Sequence, residues 1–266
     1  MTKIYEALEH ARREMQEVRR PDEKEPAVMP AETSAEKLPG PRPVTSAPVV
    51  SLPPGIGEPN LEREMTALYQ AIESRLPNVS HKVIQLISSR PREGTSTIIR
   101  ELAKAITAVM GRSVLLLDID RRHPDPGAFC DVVPSLKLDD VLEGKASIDE
   151  AICQIDGTIL YVSSVFQHSV LTPQKLESES IGRLWDQLRQ RFDYVLIDSP
   201  PVTISSDGLA IVRKVDGVIF VVEAEKTRWP VALAAKEKIV SHGGNILGMV
   251  FNKRRFYIPD FVYRKI

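Results

Sequence analysis

The sequence has no uninterrupted apolar run approaching the roughly 20 residues that a membrane-spanning helix needs, and its first residues are charged rather than signal-like. It has only two cysteines, Cys130 and Cys153, without metal-ligand spacing, which indicates reduced, part-buried thiols rather than a disulfide. Its charges nearly cancel to a net charge of −1, so no overall field favours nucleic acid or an acidic membrane. These absences predict a soluble, cytoplasmic protein.

The 266 residues have room for one domain of about 200 residues and for flanking segments. Residues 1–20 carry apolar side chains at helical spacing and predict an amphipathic helix, which either docks on a partner or on the domain or is frayed and solvated. Residues 21–60 hold ten of the 20 prolines and predict a disordered linker. We expect a globular domain over residues 61–252 and a C-terminal tail over residues 253–266.

Within the globular domain, short apolar runs alternate with helical patterns. The predicted strands span residues 83–88, 113–118, 158–163, 194–198, 217–222 and 246–251. The predicted helices span residues 61–76, 96–109, 178–191, 207–213 and 230–241. This alternation predicts an α/β fold, with a mainly parallel sheet and helices on both faces. Ligands of such sheets bind beyond the carboxyl ends of the strands.

The first of these strands leads into a turn and a helix in the sequence VIQLISSRPREGTSTIIRELA, residues 83–103. This is the layout of a phosphate-binding P-loop, in which backbone N–H groups and a helix N-terminus surround a phosphate. Gly94 permits the curled backbone, Ser96 occupies the position that binds Mg²⁺, and Thr97 is a candidate for contact with the α-phosphate. The alternative is a plain strand–turn–helix with a threonine cap.

The residue after the turn glycine is Thr95, where a P-loop carries the lysine that reaches the β- and γ-phosphates. A neutral hydroxyl cannot stabilise the charge of a transferring phosphoryl group, and losing one preorganised donor costs about 10²–10³ in rate. Because backbone amides and Mg²⁺ remain, we expect nucleotide binding to survive better than chemistry. Arg90 and Arg92 are candidates for partial substitution, although arginine's rigid fork differs from lysine's compact charge.

Polar residues also stand at the ends of three other predicted strands. Asp118 and Asp120 follow one apolar run, and Asp198 ends another. Carboxylate oxygens at these strand ends suit Mg²⁺, which keeps several waters; the alternative is that they cap the following turns. Asn252 follows a third apolar strand, and its amide offers the donor and the acceptor that an adenine edge needs, or else caps a loop.

Together these motifs resemble those of the bacterial tyrosine kinases (BY-kinases) of capsule and exopolysaccharide systems, within the deviant P-loop ATPases. The resemblance covers roughly residues 61–252 and includes LLLDIDRR, with Arg122, and the Asp-x-x-Pro that begins at Asp198. It implies a P-loop NTPase-like fold that binds ATP or ADP with Mg²⁺. It also implies that Asp118 is linked to Mg²⁺ and is a candidate general base, that Asp120 is a second acidic partner, and that Asp198 is a water-mediated Mg²⁺ ligand. Asn252 matches the asparagine that reads the purine.

The resemblance further implies a separate transmembrane chain-length-determinant (polysaccharide co-polymerase) partner, peripheral attachment to the inner face of the membrane, and a homo-oligomer. The family's ring-forming helix has the pattern Glu-x-x-Arg-x-x-Arg. In this chain Glu64 matches the glutamate, but Ala67 and Gln70 stand at the two arginine positions. BY-kinase tails are phosphorylated in trans, and Tyr257 and Tyr263 are the candidate acceptors, unless the tail is a docking segment. Basic tail residues either meet anionic lipid or solvate the tail: Lys253, Arg254, Arg255, Arg264 and Lys265.

Three functions follow in order of preference. The first is an ATP-dependent tyrosine autokinase of polysaccharide biosynthesis and export, or a weakened homologue. The second is a catalytically inactive nucleotide-binding scaffold that regulates the membrane partner, which Thr95 favours. The third, a partition-type ATPase, is disfavoured because the P-loop lacks that group's early signature lysine.

Overall fold

The computed structural model describes residues 49–51, 58–120, 136–155, 157–165 and 176–254. The helix predicted over residues 1–20, most of the linker, Arg122, and the tail tyrosines Tyr257 and Tyr263 lie outside these residues. The predictions made for them stay predictions.

The described residues contain one eight-stranded sheet. Its strands are β1 (Val49–Ser51), β2 (Lys82–Ser88), β3 (Val114–Asp118), β4 (Cys153–Gln154), β5 (Leu160–Ser164), β6 (Tyr194–Asp198), β7 (Gly217–Glu223) and β8 (Ile246–Asn252). Their order across the sheet is β1-β8-β7-β2-β6-β3-β5-β4. Neighbouring strands are parallel except β4 and β5, which are antiparallel. The mainly parallel sheet is therefore confirmed.

The helices are α1 (Glu58–Arg75), α2 (Thr95–Ala108), α3 (Leu138–Leu142), α4 (Ile148–Ala151), α5 (Glu179–Arg191), α6 (Asp207–Ile211) and α7 (Trp229–Ser241). The predicted helices and strands of the domain agree with these bounds to within a few residues. Over the described ranges, no helix combines the length and the apolar character needed to cross a membrane.

Hydrophobic cores lie on both faces of the sheet, and alternate residues of each central strand contribute to them. In β2, Val83 and Ile87 belong to the core on the face that includes Leu184 and Leu188 of α5. The intervening Ile84 and Leu86 belong to the opposite core, which contains apolar residues of α1 and α2. Strands buried on both faces need apolar residues at nearly every position, which explains the continuous apolar runs in the sequence.

One edge of the sheet differs from the prediction. Residues 21–60 were expected to be a disordered linker, but Val49–Ser51 form a strand that pairs in parallel with Met249–Phe251 of β8, and α1 begins at Glu58. The linker prediction is wrong for these residues. Two adjacent β-branched valines suit an edge strand, but the many prolines of residues 21–60 determined the prediction for this segment.

The central strands bring three predicted motifs to one edge of the sheet. In the order β2-β6-β3, Asp198 of β6 pairs in register with Leu86 of β2 and with Asp118 of β3. The P-loop turn follows β2 directly. Because these strands are parallel, the turn and both aspartates lie at their carboxyl ends, where α/β sheets bind ligands.

Candidate nucleotide-binding site

The turn between β2 and α2 is closed by Gly94, which has a left-handed φ of 96° and caps the N-terminus of α2. A Cβ at this position would lie 2.0 Å from Nδ2 of Asn252, closer than any side chain allows. Glycine is therefore required both for the backbone angle and for the close approach of β8. Arg92, two residues earlier, also has a positive φ, of 65°.

Glu93 holds the loop in this shape, a role that was not predicted from the sequence. Its side chain is buried, and its carboxylate accepts hydrogen bonds from the backbone N–H groups of Ser89 and Arg90 at 2.8 and 2.9 Å. It also accepts from the hydroxyl groups of Ser89 and Thr227. Thr227 lies 134 residues further along the chain, so only the fold reveals this contact. The buried carboxylate ties the loop to the end of β7.

A cavity of about 510 Å³ opens over the turn and the start of α2. Its volume lies within the roughly 300–1,000 Å³ range of small-molecule and cofactor sites. The lining includes six of the predicted site residues: Gly94, Thr95, Ser96, Thr97, Asp120 and Asp198. Thr95 is buried at the first position of α2, and its side chain ends in a neutral hydroxyl. The helix N-terminus adds partial positive charge to the cavity.

The acidic residues form a connected group beside this cavity. Asp118 accepts a hydrogen bond from the backbone N–H of Asp120 at 2.8 Å through Oδ1, and it lies in register with Asp198. The side chain of Asp198 is hydrogen-bonded to that of Ser96. Asp118 itself lies beside the cavity rather than in its lining.

The carboxyl group of Asp198 has a raised pKa. Burial raises its pKa from the ordinary 3.8 to about 7, and the negative charges of Asp118 and Asp120 act in the same direction. The hydrogen bond from Ser96 and the charge of Arg100 oppose them. Near neutral pH this carboxyl group therefore changes protonation readily, and a cation placed beside it would favour the carboxylate.

These residues fit a magnesium–nucleotide complex better than a free metal ion. The described part of the chain holds no group of three or more His, Cys, Asp or Glu side chains that could bind a metal ion by themselves. Mg²⁺ in nucleotide sites takes one or two protein oxygens, with phosphates and waters completing its shell. The hydrogen-bonded pair of Ser96 and Asp198, in a cavity capped by a helix N-terminus, offers that donor set.

Asn252 adjoins the loop without lining the cavity. Its Nδ2 donates to the backbone carbonyl of Glu93 at 2.8 Å, and its Oδ1 accepts from the backbone N–H of Lys253 at 2.9 Å. In this arrangement the amide joins the end of β8 to the P-loop. Purine recognition by Asn252 stays a prediction.

Lys253 lines the cavity although sequence reasoning assigned it to the tail. Its Nζ donates to the backbone carbonyl of Arg92 and lies 3.7 Å from Oε2 of Glu223. The only sequence signal for this position is that it follows Asn252 at the carboxyl end of a strand.

Comparison with known proteins finds relatives among proteins of bacterial polysaccharide systems. The chain is 30% identical over 173 residues to "Tyrosine-protein kinase CpsD" of Streptococcus pneumoniae serotype 4 (strain ATCC BAA-334 / TIGR4), covering 65% of this chain and 76% of that protein. It is 29% identical over 188 residues to "Succinoglycan biosynthesis transport protein ExoP" of Rhizobium meliloti (strain 1021), covering 69% of this chain and 24% of that protein. No family model matches the sequence.

Among solved structures, the chain is similar to the chimerical protein CapA2B2. The TM-score is 0.69 at 23% identity, and the alignment covers 79% of this chain and 96% of the other. At this identity the likeness shows a shared fold, and it extends over nearly all of that structure.

Proposed function

The chain belongs to the bacterial tyrosine-protein kinase (BY-kinase) family of capsule and exopolysaccharide biosynthesis, and we propose that it binds ATP or ADP with Mg²⁺ and acts as a protein-tyrosine autokinase or a weakened form of one. The observation that carries this proposal is the convergence of the P-loop turn, Asp120 and Asp198 on one cavity of about 510 Å³. A partition-type ATPase is less well supported, because the relatives named above are a tyrosine-protein kinase and a polysaccharide biosynthesis transport protein.

In this proposal the P-loop backbone binds the phosphates. Glu93 fixes the loop from beneath, so its N–H groups are ordered before the ligand arrives and less entropy is lost on binding. Ser96 and Asp198 would hold the metal, Asp198 through a water. Asn252, which adjoins the loop at the end of β8, would contact the purine. Bound Mg²⁺ would neutralise charge on the phosphate oxygens.

For transfer, the bond from the γ-phosphorus of ATP to its bridging oxygen breaks and a bond to a tyrosine Oη forms, leaving ADP. Asp118 accepts the tyrosine proton, and Asp120 supports it through the backbone hydrogen bond to Asp118. Tyr257 or Tyr263 of a neighbouring copy is the proposed acceptor.

Thr95 supports a second candidate, a nucleotide-binding scaffold with little or no kinase activity. A hydroxyl at the start of α2 leaves the transferring phosphoryl group without the usual lysine, and one such donor is worth about 10²–10³ in rate. Nucleotide binding depends less on that lysine, because the loop amides remain.

The working context follows from the family. We propose that the protein acts at the inner face of the cell membrane beside a separate transmembrane chain-length determinant, and that the segment over residues 1–20 docks there. A relative named for succinoglycan transport supports a role in polysaccharide export.

The test has two stages on the full chain. ADP and ATP titrations with Mg²⁺ and with chelator measure binding, and mass spectrometry then searches for phosphotyrosine after incubation with ATP and Mg²⁺. Mg²⁺-dependent binding followed by phosphate on a tail tyrosine supports the autokinase. Binding without phosphotyrosine supports the scaffold. A folded protein that binds neither nucleotide contradicts both.

A further inference from the structure

The side chain of Lys253 crosses the P-loop at the residue before Thr95. Its Cε lies 3.9 Å from the position that a Cβ on Gly94 would occupy, and its Nζ donates to the carbonyl oxygen of Arg92. The stem therefore lies beside the turn, and Lys253 lines the cavity. Its charge comes from the residue that follows β8, whereas Thr95 is the first residue of α2.

Moving the ammonium group towards a phosphate would break its hydrogen bond to the Arg92 carbonyl but would leave no acidic side chain without a cation. The side chain of Lys253 is 46% exposed, and its acidic neighbour Glu223 is 3.7 Å away. Glu223 has a second cation, because Nζ of Lys226 lies 3.2 Å from its Oε1. If Lys253 turned towards a phosphate, Glu223 would therefore keep a partner of opposite charge.

Other cations near the loop are placed less well for this task. Arg90 does not line the cavity, and Arg100 interacts with Asp198 from one turn into α2. Arg92 lines the cavity with an exposed side chain, but its guanidinium is a broad planar fork. The missing group is a compact point charge on a flexible stem, and lysine alone supplies that.

We propose that Lys253 binds the β- or γ-phosphate of the nucleotide and supplies, from the end of β8, part of the positive charge that Thr95 does not. This inference rests on the proposed nucleotide-binding function. It makes Lys253 a phosphate-binding residue rather than part of a solvated tail.

The first experiment compares Lys253→Met with Lys226→Met in the full chain. Both changes remove an ammonium group beside Glu223, but only Lys253 lines the cavity. A charge-assisted hydrogen bond to phosphate corresponds to about 10- to 100-fold in affinity, so Lys253→Met should weaken ADP binding by about that factor. Lys226→Met should leave the affinity for ADP unchanged. Lys253→Arg should lose less affinity for ADP than Lys253→Met does. Adenosine, which has no phosphate, should bind all four proteins equally.

The second experiment asks whether positions 95 and 253 share one task. Thr95→Lys restores the usual cation. In that background, the loss of ADP affinity caused by Lys253→Met should therefore be smaller than the loss in the wild type, by a factor of about three or more. Circular dichroism and thermal unfolding establish that each variant is folded. Arg92→Met serves as the competing variant.

The outcomes separate the two proposals. If the wild type binds no ADP, the proposed function fails. If the wild type binds ADP and folded Lys253→Met binds it equally well, or if only Arg92→Met loses affinity, the function stands and the assignment of Lys253 is overturned. Equal losses for ADP and adenosine would also overturn it, because they would indicate damage to the pocket rather than a lost phosphate contact.

Discussion

Asp198 is stabilised poorly as a carboxylate in the nucleotide-free protein, and Asp198→Asn should therefore make that form more stable. The side chain is buried, and its pKa stands at about 7 instead of the ordinary 3.8, first because of burial and then because of the neighbouring charges of Asp118 and Asp120. Asparagine has nearly the same shape and keeps an oxygen that can accept the hydroxyl hydrogen of Ser96, but it carries no charge. The same change should weaken Mg²⁺-dependent nucleotide binding.

The sign of the pH effect follows from proton counting. Between pH values of about 4 and about 7, Asp198 holds a proton in the folded chain that it has released in the unfolded chain. The contribution of Asp198 to the free energy of unfolding therefore falls as pH rises through this window, by up to about 4 kcal/mol, and levels off above it. The advantage of Asp198→Asn should be small near pH 4 and largest above pH 7.

Urea unfolding in chelator, at several pH values from about 4.5 to about 8, measures this advantage. Asp193→Asn is the matched control with the opposite sign. Burial raises the pKa of Asp193, but hydrogen bonds from the backbone N–H and hydroxyl of Ser113 and the charge of Arg112 outweigh burial and lower it. Its stabilising contribution is present at neutral pH and lost in acid, so Asp193→Asn should destabilise the protein at neutral pH. An Asp198→Asn protein no more stable than wild type at pH 8 would show that the folded protein does not destabilise the Asp198 carboxylate.

Three further predictions concern the loop and the flanking segment. Gly94→Val should abolish ATP binding in isothermal titration, because its Cβ would meet Nδ2 of Asn252 at 2.0 Å; undiminished affinity in a folded variant would contradict the P-loop assignment. Glu93→Gln should lower the free energy of unfolding by about 1–3 kcal/mol and weaken ADP binding, because an amide cannot accept all the hydrogen bonds that the carboxylate accepts; unchanged values would remove its organising role. Deletion of residues 1–20 should leave thermal unfolding unchanged and weaken capture by the membrane partner, whereas core unfolding would mean that this segment packs on its own domain.

The fold was largely predictable because its information is local. A parallel strand buried on both faces must be apolar throughout, so Val114–Asp118 and Tyr194–Asp198 stand out in the sequence. The positions of Asp118 and Asp198 then followed from topology, since parallel strands end at one edge. Short β1 escaped prediction because three residues in a proline-rich stretch carry little signal, and its pairing with β8 depends on residues about 200 positions away.

The contacts that shape the site were less predictable because they join distant parts of the chain. In the sequence, Glu93 is indistinguishable from any charged loop residue. Its role depends on hydrogen bonds to Thr227 and to the Ser89 backbone, which form only in the folded protein. In the sequence, Lys253 is the first basic residue of a predicted tail. The pairing of β8 with β7 places it beside the P-loop, where it contacts Arg92. In both cases the residue type is unremarkable, and the sheet order gives it a role.

A crystal structure of the full chain with ADP and Mg²⁺ would show directly whether the P-loop turn binds the nucleotide. The β-phosphate should lie within hydrogen-bonding distance of the loop N–H groups that lead into α2, and the metal should be bound to Ser96 Oγ. The Asp198 carboxylate should lie close enough to reach the metal through one water. A nucleotide bound elsewhere, or phosphates turned away from the Gly94 turn, would contradict the P-loop assignment.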